Sequence, residues 1–249
     1  MIYLKSPEEI EVMRQANRIA VRVMQTLKEK MTPGTATQEL DRLAEEIITR
    51  AGGKPAFKGY RGFPAALCIS INEELVHGIP SQRKLKEGDI VSIDCGVLYR
   101  GFYGDHAWTF PLGEVSEGAK RILAVGAKAL ELGIQKMRAG ARLYDISAVV
   151  QGLVEKAGFS VVRDFVGHGI GKDLHEDPQL PNFGEAGTGM RLKPGLVLAF
   201  EPMVCEGDYA VKTLSDGWTV VTQDGGLAVH FEHSVAVTAE GPDVLSRWD

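Results

Sequence analysis

Two acidic residues interrupt an otherwise apolar and aromatic stretch, IDCGVLYRGFYGDHAWTF, which spans residues 93–110. Asp94 and Asp105 stand eleven positions apart in it, and a turn-like patch lies between them near Tyr99-Arg100. The pattern predicts a buried β-hairpin with one carboxylate on each strand. Side chains that face each other across such a hairpin have Cβ atoms about 5 Å apart. Burial raises the free-energy cost of two repelling anions, so the pair requires compensation.

An internal repeat extends this pattern to a second part of the chain. Residues 31–52 match residues 137–158 at a constant offset of 106. Apolar residues recur at helical spacing in both copies, so each predicts a turn followed by an amphipathic helix. The constant offset over both segments indicates a duplicated structural unit rather than a chance match of short motifs.

The repeat continues downstream, and each copy ends in an acid. KEGDIVSID resembles KPGLVLAFE, which aligns Asp94 with Glu201. GDHAWTF resembles FEHSVAV, which aligns Asp105 with Glu232 after the offset has grown by 20 residues. The additional residues predict a longer hairpin between 202 and 231. Each half therefore brings one acid on a strand and one on its partner strand.

The repeat predicts the fold class. Two fused halves would close around a local two-fold axis, giving an α+β protein with an antiparallel β-sheet core flanked by helices. We expect one catalytic domain over residues 1–249, with repeat units of roughly 1–110 and 115–240. Residues 6–9, SPEE, have the pattern of a capping box with proline at the first helical position, which predicts a helix to about Lys30.

Four acids at the centre of such a fold cannot all remain charged without compensation. Either some stay protonated, or cations balance them, and two divalent ions would balance four carboxylates. Two metals about 3.5–4 Å apart form a known catalytic device. A transition ion would also favour an imidazole, and His168, among the glycines of VGHGIGKDLHEDP, is the better candidate than His175. His106 and His233 follow acids directly, so their side chains should point to the opposite face.

Composition restricts the class of protein. Of 249 residues, 44% are hydrophobic and 24% charged, as in soluble globular proteins. The net charge of −5 argues against direct nucleic-acid readout, because phosphate binding needs a basic surface. No run of about 18 apolar residues predicts a membrane span. Three cysteines without a CxxC pair suit a reducing compartment, so we expect a cytoplasmic protein.

Five segments occur in an order that resembles a known family: SINEELVHGIP, GDIVSIDCGVLYRGFYGDHAWTF, GHGIGKDLHEDPQLPNFG, LAFEPMV and DGWTVVTQDGGLAVHFEHSVAVT. Over nearly the whole chain they resemble the type I methionine aminopeptidases, metallopeptidases of the pita-bread fold. The resemblance implies two divalent metal ions per chain, of cobalt, manganese, iron, zinc or nickel. Their ligands would be Asp94, Asp105, His168, Glu201 and Glu232. Asp105 and Glu232 would bridge both ions, Asp94 would complete one site, and His168 with Glu201 the other.

The resemblance also implies the reaction. The chain would remove the initiator methionine from nascent proteins, favouring small second residues, with a water molecule activated by the metals. Glu201 would shuttle the proton, His77 would bind near the scissile amide, and His175 would hold the carbonyl oxygen. The methionine pocket would be lined by Tyr60, Phe63, Cys68, His77 and Trp218. Five positions depart from the family's usual pattern and leave the selectivity of the pocket rim open: Phe57, Phe63, His106, Trp108 and Leu174.

Other interpretations share parts of this pattern. Aminopeptidase P and prolidase have the same five ligands but carry a large additional N-terminal domain, whereas a single predicted helix precedes the repeat here. A binding protein that kept the fold and lost catalysis would be expected to lose ligands. A structural calcium site prefers oxygen ligands alone, against which His168 argues. The resemblance further implies a monomer with transient ribosome contact, although no basic stripe marks such a contact.

Overall fold

Helices lie outside antiparallel sheets in the computed structural model, which describes residues 2–248. The helices of these residues are α1 (Pro7–Lys30), α2 (Thr37–Arg50), α3 (Glu117–Lys136) and α4 (Leu143–Lys156), with a 3₁₀ turn at Tyr60–Gly62. The architecture confirms the predicted α+β class. Within the described residues, no helix combines the length and the apolarity that a membrane span requires.

Fifteen strands of the described residues form four sheets. In chain order they are β1 (Lys54–Pro55), β2 (Cys68–Ile71), β3 (Glu74–Val76), β4 (Ile90–Tyr99), β5 (Phe102–Pro111), β6 (Ser160–Val161), β7 (Val166–Gly169), β8 (Glu176–Pro181), β9 (Val197–Phe200), β10 (Met203–Cys205), β11 (Val211–Thr213), β12 (Val220–Thr222), β13 (Ala228–His230), β14 (His233–Val237) and β15 (Pro242–Val244). The sheet orders are β1-β4-β2 with β5 beside β4, β13-β10-β6, β11-β12-β3 and β15-β14-β9-β7-β8. Every pairing is antiparallel.

The helices begin and end where the sequence pattern places them. Ser6 Oγ accepts a hydrogen bond from the Glu9 amide, and the Glu9 carboxylate accepts one from the Ser6 amide, so the predicted capping box is confirmed. Helix α1 ends at Lys30, as predicted. Helices α2 and α4 each contain 14 residues and begin 106 positions apart, at Thr37 and Leu143. This separation equals the offset of the sequence repeat.

The first pair of acids lies on the β4–β5 hairpin, whose turn differs slightly from the prediction. Arg100 and Gly101 form a two-residue turn with positive φ angles of 49° and 84°, and Tyr99 pairs with Phe102 on either side of it. Two consecutive positive φ angles give the tight turn that matches strand twist. The turn therefore begins one residue later than the predicted Tyr99-Arg100.

The register of this hairpin makes the two acids diagonal neighbours rather than directly opposed residues. Asp94 lies opposite Ala107, and Asp105 lies opposite Gly96. Because residues two apart on a strand share a face, both carboxyl groups point to the same side of the sheet. The side chain that Gly96 lacks leaves room on this face, where a Cβ atom would lie 2.6 Å from the Phe57 ring.

The segment between 202 and 231 is not the single longer hairpin that the sequence predicts. It forms two nested pairs, β10–β13 and β11–β12, which belong to different sheets. Strand β12 also pairs with β3, where Val220 lies opposite Val76. This pairing attaches the inserted chain to the first half of the molecule.

The two halves meet along β5 and β14. The Glu232 amide donates to the Ala107 carbonyl oxygen at 2.8 Å. Ser234 Oγ accepts from the Asp105 amide at 3.1 Å and donates to the Asp105 carbonyl oxygen at 2.8 Å. These hydrogen bonds fix the backbone of one acid from each half on either side of the same boundary.

Candidate active site and metal centre

A cavity of about 160 Å³ opens where β4, β5, β7 and β9 converge. Every residue that the sequence analysis assigns to metal binding, catalysis or substrate binding lines this one cavity. These residues are Asp94, Asp105, His168, Glu201, Glu232, His77, His175, Tyr60, Phe63, Cys68 and Trp218. The remaining lining residues are Phe57, Arg61 and Leu174. The structure thus gathers residues that are separated by up to 172 positions in the chain, and the role of each stays a prediction.

The candidate metal ligands of the second half lie in or directly beside neighbouring strands. Glu201 directly follows β9, and Glu232 directly precedes β14, which pairs with β9 through His233 and Phe200. His168 lies in β7, where it pairs with Ala199 of β9. The strands lie side by side, so the three candidate ligands of the second half lie close together.

Burial raises the pKa of all four carboxyl groups. The pKa of Asp105 and that of Glu201 each rise to about 8 through loss of hydration, with repulsion from Glu201 adding to the shift at Asp105. Loss of hydration, followed by repulsion from Asp105, raises the pKa of Asp94 and of Glu232 well above the usual range. Among residues 2–248, Asp94 Oδ1 and Glu232 Oε1 are buried without a hydrogen-bond partner. Buried oxygens of this kind require either protons or a cation.

The orientation of His168 fits a metal ligand. Its Nδ1 lies 2.9 Å from the Gly169 carbonyl oxygen, which can only accept, so Nδ1 carries the proton and Nε2 presents a lone pair. Burial lowers the pKa of His168 to about 4, so the ring is neutral. Ligand atoms of Asp105, His168 and Glu232 lie within 4.8 Å of one another. Neutral imidazole nitrogen beside carboxylate oxygens is a donor set for divalent transition ions.

His175 lies beside the candidate metal ligands, and its ring contacts Tyr60. The Tyr60 hydroxyl lies 2.9 Å from His175 Nδ1, and the two rings stack with centroids 5.3 Å apart. The His175 ring centroid is 4.3 Å from that of His168. Burial, followed by repulsion from nearby cations and imidazoles, lowers the pKa of His175 to about 3. His175 is therefore a neutral imidazole whose orientation is fixed at the edge of the candidate metal site.

Aromatic side chains form the opposite wall. Phe63 and Trp218 meet edge to face with centroids 5.1 Å apart, and His77 meets Trp218 at 6.3 Å. Burial lowers the pKa of His77 to about 4, and burial raises the pKa of the Cys68 thiol well above its usual value. Both groups are uncharged at neutral pH. The wall therefore suits an apolar side chain, as the sequence predicts.

One residue of the site escaped the sequence analysis. His230 is buried, and its Nε2 lies 3.3 Å from Glu201 Oε2 and 3.8 Å from Glu232 Oε2. Burial lowers its pKa to about 3, so these contacts are not ion pairs, and Nε2 makes no hydrogen bond within the described residues. The spacing of His230 and Glu232, two positions apart beside a strand, was the available signal.

Arg61 was also missed. It has a positive φ of 50° in the 3₁₀ turn, and its guanidinium lies 5.4 Å from the centre of the Tyr60 ring. No residue-type pattern marks it, because a positive φ at a non-glycine residue follows from tertiary packing. Its place on the cavity lining makes it part of the rim around the aromatic wall.

Four acids and an imidazole that line one cavity between two halves built of antiparallel sheets are the arrangement expected of a metallopeptidase of the pita-bread fold. Comparison with known proteins agrees with this class. The sequence profile described as metallopeptidase family M24 matches residues 11–239. The chain therefore belongs to metallopeptidase family M24, and it is a peptide-bond hydrolase that uses divalent metal.

Individual relatives show which members of the family the chain resembles in sequence and in structure. Methionine aminopeptidase 1 of Bacillus subtilis (strain 168) is 52% identical over 247 residues, covering 99% of this chain and 100% of the relative. The crystal structure of a methionine aminopeptidase from Thermotoga maritima matches with a TM-score of 0.98 at 46% identity, covering 100% of both chains. The prolidase from Pyrococcus horikoshii OT3 matches with a TM-score of 0.81 at 23% identity, over 99% of this chain and 64% of that one. The last match shows a shared fold alone.

Proposed function

We propose that the chain is a methionine aminopeptidase that removes the N-terminal methionine from new polypeptides and favours small second residues. The observation that carries this proposal is that the five proposed metal ligands and a group of aromatic side chains line one cavity of about 160 Å³. A cavity of this size has room for one substrate side chain beside the proposed metal ligands. The full-length similarity to the methionine aminopeptidase of Bacillus subtilis supports the same function.

Two divalent cations would be held by Asp94, Asp105, His168, Glu201 and Glu232. Two such ions balance four carboxylates, whose pKa values burial otherwise raises. When bound, the ions supply a Lewis acid and lower the pKa of a water molecule towards neutrality. Oxygen donors with one imidazole suit iron, manganese, cobalt, zinc or nickel.

Glu201 is the proposed general base. Its Oε1 and Oε2 lie 3.5 Å and 3.3 Å from the neutral imidazoles of His168 and His230, so no cationic side chain pairs with it within the described residues. A carboxylate in this setting accepts the proton of the attacking water and returns it to the leaving amine. Its position at the end of β9 places it beside the other proposed ligands.

Two neutral histidines are the proposed contacts of the scissile peptide. In the proposed tautomer the Tyr60 hydroxyl donates to His175 Nδ1, so that His175 Nε2 would carry the proton and donate to the substrate carbonyl oxygen. His77, held between Phe165 and Trp218, would donate near the scissile amide. Neutral N–H donors stabilise developing negative charge and, unlike imidazolium groups, do not repel the nearby cations.

A peptide assay tests the proposal. Protein stripped of metal and reloaded with manganese or cobalt should cleave Met-Ala-Ser and leave Ala-Pro-Ser intact. Preference for the Xaa-Pro peptide would instead identify a proline-directed enzyme. Persistent inactivity towards both peptides, with both metals bound, would identify a binding protein that has lost catalysis.

The proposal extends to the setting of the reaction. The enzyme would act as a cytoplasmic monomer with one catalytic domain, residues 1–249, and would meet nascent chains through transient ribosome contact. Cys68, Cys95 and Cys205 are buried and unpaired, which supports a reducing compartment. Co-sedimentation with ribosomes and size-exclusion chromatography would test the ribosome contact and the monomer.

A further inference from the structure

A lysine near the start of the chain is completely buried. The Lys5 side chain has no solvent exposure, and its Nζ lies 2.6 Å from Glu176 Oε2. The same Nζ donates to the Tyr3 carbonyl oxygen at 3.0 Å. Burial lowers the pKa of Lys5, while the hydrogen bond and charge of Glu176 raise it. A buried ion pair is costly to form, and removing one partner leaves the other charge uncompensated.

The acid of this pair directly follows His175 in the chain. Glu176 Oε1 accepts from the backbone amide of Lys172 at 2.8 Å and from that of Asp173 at 3.3 Å. One carboxylate therefore closes the loop of residues 171–176 with one oxygen and binds the lysine with the other. His175 lies inside this closed loop, one residue from the anchor.

The backbone of Lys5 is fixed by residues outside this loop. Its amide donates to the Gly195 carbonyl oxygen at 2.7 Å, and the next residue, Ser6, caps α1. The loop approaches so closely that a Cβ atom at Gly171 would overlap the Lys5 side chain. Lys5 is thus held by backbone on one side and packed against the loop on the other. The backbone of Lys5 is therefore anchored at Gly195, outside the loop that its side chain contacts.

We propose that Lys5 is a positioning residue for His175 and acts through Glu176. Glu176 connects Lys5 to the loop because it binds Nζ with one oxygen and the loop amides with the other. The loop in turn holds the His175 ring against Tyr60. This inference rests on the proposed function for its catalytic consequence, because His175 is there a donor to the substrate carbonyl oxygen. Its structural consequence, the orientation of His175, can be measured without any substrate.

Lys5→Met should lower kcat for Met-Ala-Ser by about tenfold or more and change KM by less than about twofold. The expected split arises because a misplaced donor weakens the transition state more than substrate binding. Affinity for manganese should be unchanged, since Lys5 contacts none of the proposed metal ligands. In the metal-stripped protein, the imidazole ¹⁵N signals of His175 should shift, which follows its orientation independently of activity.

Arg14→Met is the matched control. Arg14 Nη2 lies 2.6 Å from Asp243 Oδ2, and this ion pair connects α1 to β15. Neither residue lines the cavity. Loss of this ion pair should lower thermal stability and leave kcat and the His175 signals unchanged. If both variants lowered kcat equally, Lys5 would have only a general stabilising role and the proposal would be wrong.

A double variant covers the case in which Lys5→Met does not fold. Lys5→Met with Glu176→Gln removes the unpaired buried charge and keeps an oxygen for the amides of Lys172 and Asp173. Reduced kcat with a displaced His175 signal supports the proposal, whereas wild-type kcat and an unmoved signal overturn it. If the wild-type protein itself failed to cleave Met-Ala-Ser, the proposed function would fall, and the His175 signal would still decide the positioning role.

Discussion

The two halves deliver their acids by different means. Asp94 and Asp105 lie on one hairpin of two ten-residue strands joined by a two-residue turn. Glu201 directly follows β9 and Glu232 directly precedes β14, and these strands of four and five residues are joined by an excursion of 32 residues, 201–232. That excursion is not a mere connection, since it contains Trp218 of the cavity wall and β12, which pairs with β3.

This difference separates two tasks of the site. A continuous hairpin with ten paired residues per strand holds its acids rigidly, as a metal site requires. The longer excursion adds a wall over the cavity and reaches the strand that precedes His77. In the proposed function the first region contributes mainly to the metal centre, whereas the second contributes to the metal centre and to substrate selection.

Equivalent histidines behind the acids show the same asymmetry. His106 and His233 follow Asp105 and Glu232, and their rings stack with centroids 4.9 Å apart and an interplanar angle of 1°. His106 Nδ1 lies 2.6 Å from the Glu232 carbonyl oxygen, across the boundary between the halves. His233 Nδ1 lies 2.8 Å from Ser246 Oγ, within its own half. Neither lines the cavity, and of their two hydrogen bonds only that of His106 crosses between the halves.

Glu201→Gln should have the largest effect, lowering kcat by about 10³-fold or more while circular dichroism stays unchanged. The amide cannot accept the proton that the proposed mechanism assigns to Glu201. Asp94→Asn, on the hairpin, is the matched variant, because Asp94 is proposed as a ligand alone. Excess manganese should restore part of the activity of Asp94→Asn and none of that of Glu201→Gln. Equal rescue of both variants would contradict the separate roles.

His168→Ala should lower manganese affinity by about 100-fold, because the proposed ligand with a free Nε2 is removed. Titration calorimetry measures the change. His77→Ala is the control, since His77 lines the same cavity without belonging to the proposed metal centre. It should lose turnover and keep its metal affinity. Unchanged affinity in His168→Ala would remove His168 from the ligand set.

Trp218→Ala should raise KM for Met-Ala-Ser by about tenfold with little change in manganese affinity, since it removes apolar contact area from the wall. Steady-state kinetics and calorimetry together measure both quantities. Tyr209→Ala is the control from the same excursion, because Tyr209 is exposed and lies outside the cavity lining. An equal loss of metal affinity in Trp218→Ala would show that the excursion also shapes the metal centre.

The sequence predicts the parts of the site that local patterns encode. The repeat offset aligns Asp94, which lies inside β4, with Glu201, which directly follows β9, and the glycine-flanked His168 lines the same cavity. Non-local pairings leave no such pattern. The pairing of β12 with β3 and the ion pair of Lys5 with Glu176, 171 positions apart, depend on tertiary packing. The turn at Arg100 was displaced by one residue because a non-glycine residue there adopts positive φ.

The smallest expected effect is the dependence of thermal stability on pH. It distinguishes the carboxyl groups, whose pKa values are raised, from the imidazoles, whose pKa values are lowered. The pKa of Asp105 and that of Glu201 rise to about 8, so their contribution to stability is complete below about pH 4 and is lost as the pH rises through 8. The pKa values of His168 and His175 fall to about 4 and 3, so their contribution is present above about pH 6.5 and is lost as the pH falls.

Between about pH 6.5 and 8.5 the carboxyl groups therefore dominate, and the Tm of metal-stripped protein should fall by about 5 °C across this interval. Manganese should abolish the fall, because bound cations favour the ionised carboxylates that the rising pH produces. Glu201→Gln should reduce the fall in the stripped protein, since one of the four carboxyl groups whose pKa is raised is gone. A Tm that stays constant or rises in the stripped wild-type protein would mean that these acids are already compensated by the fold, and the argument that they need cations would fail.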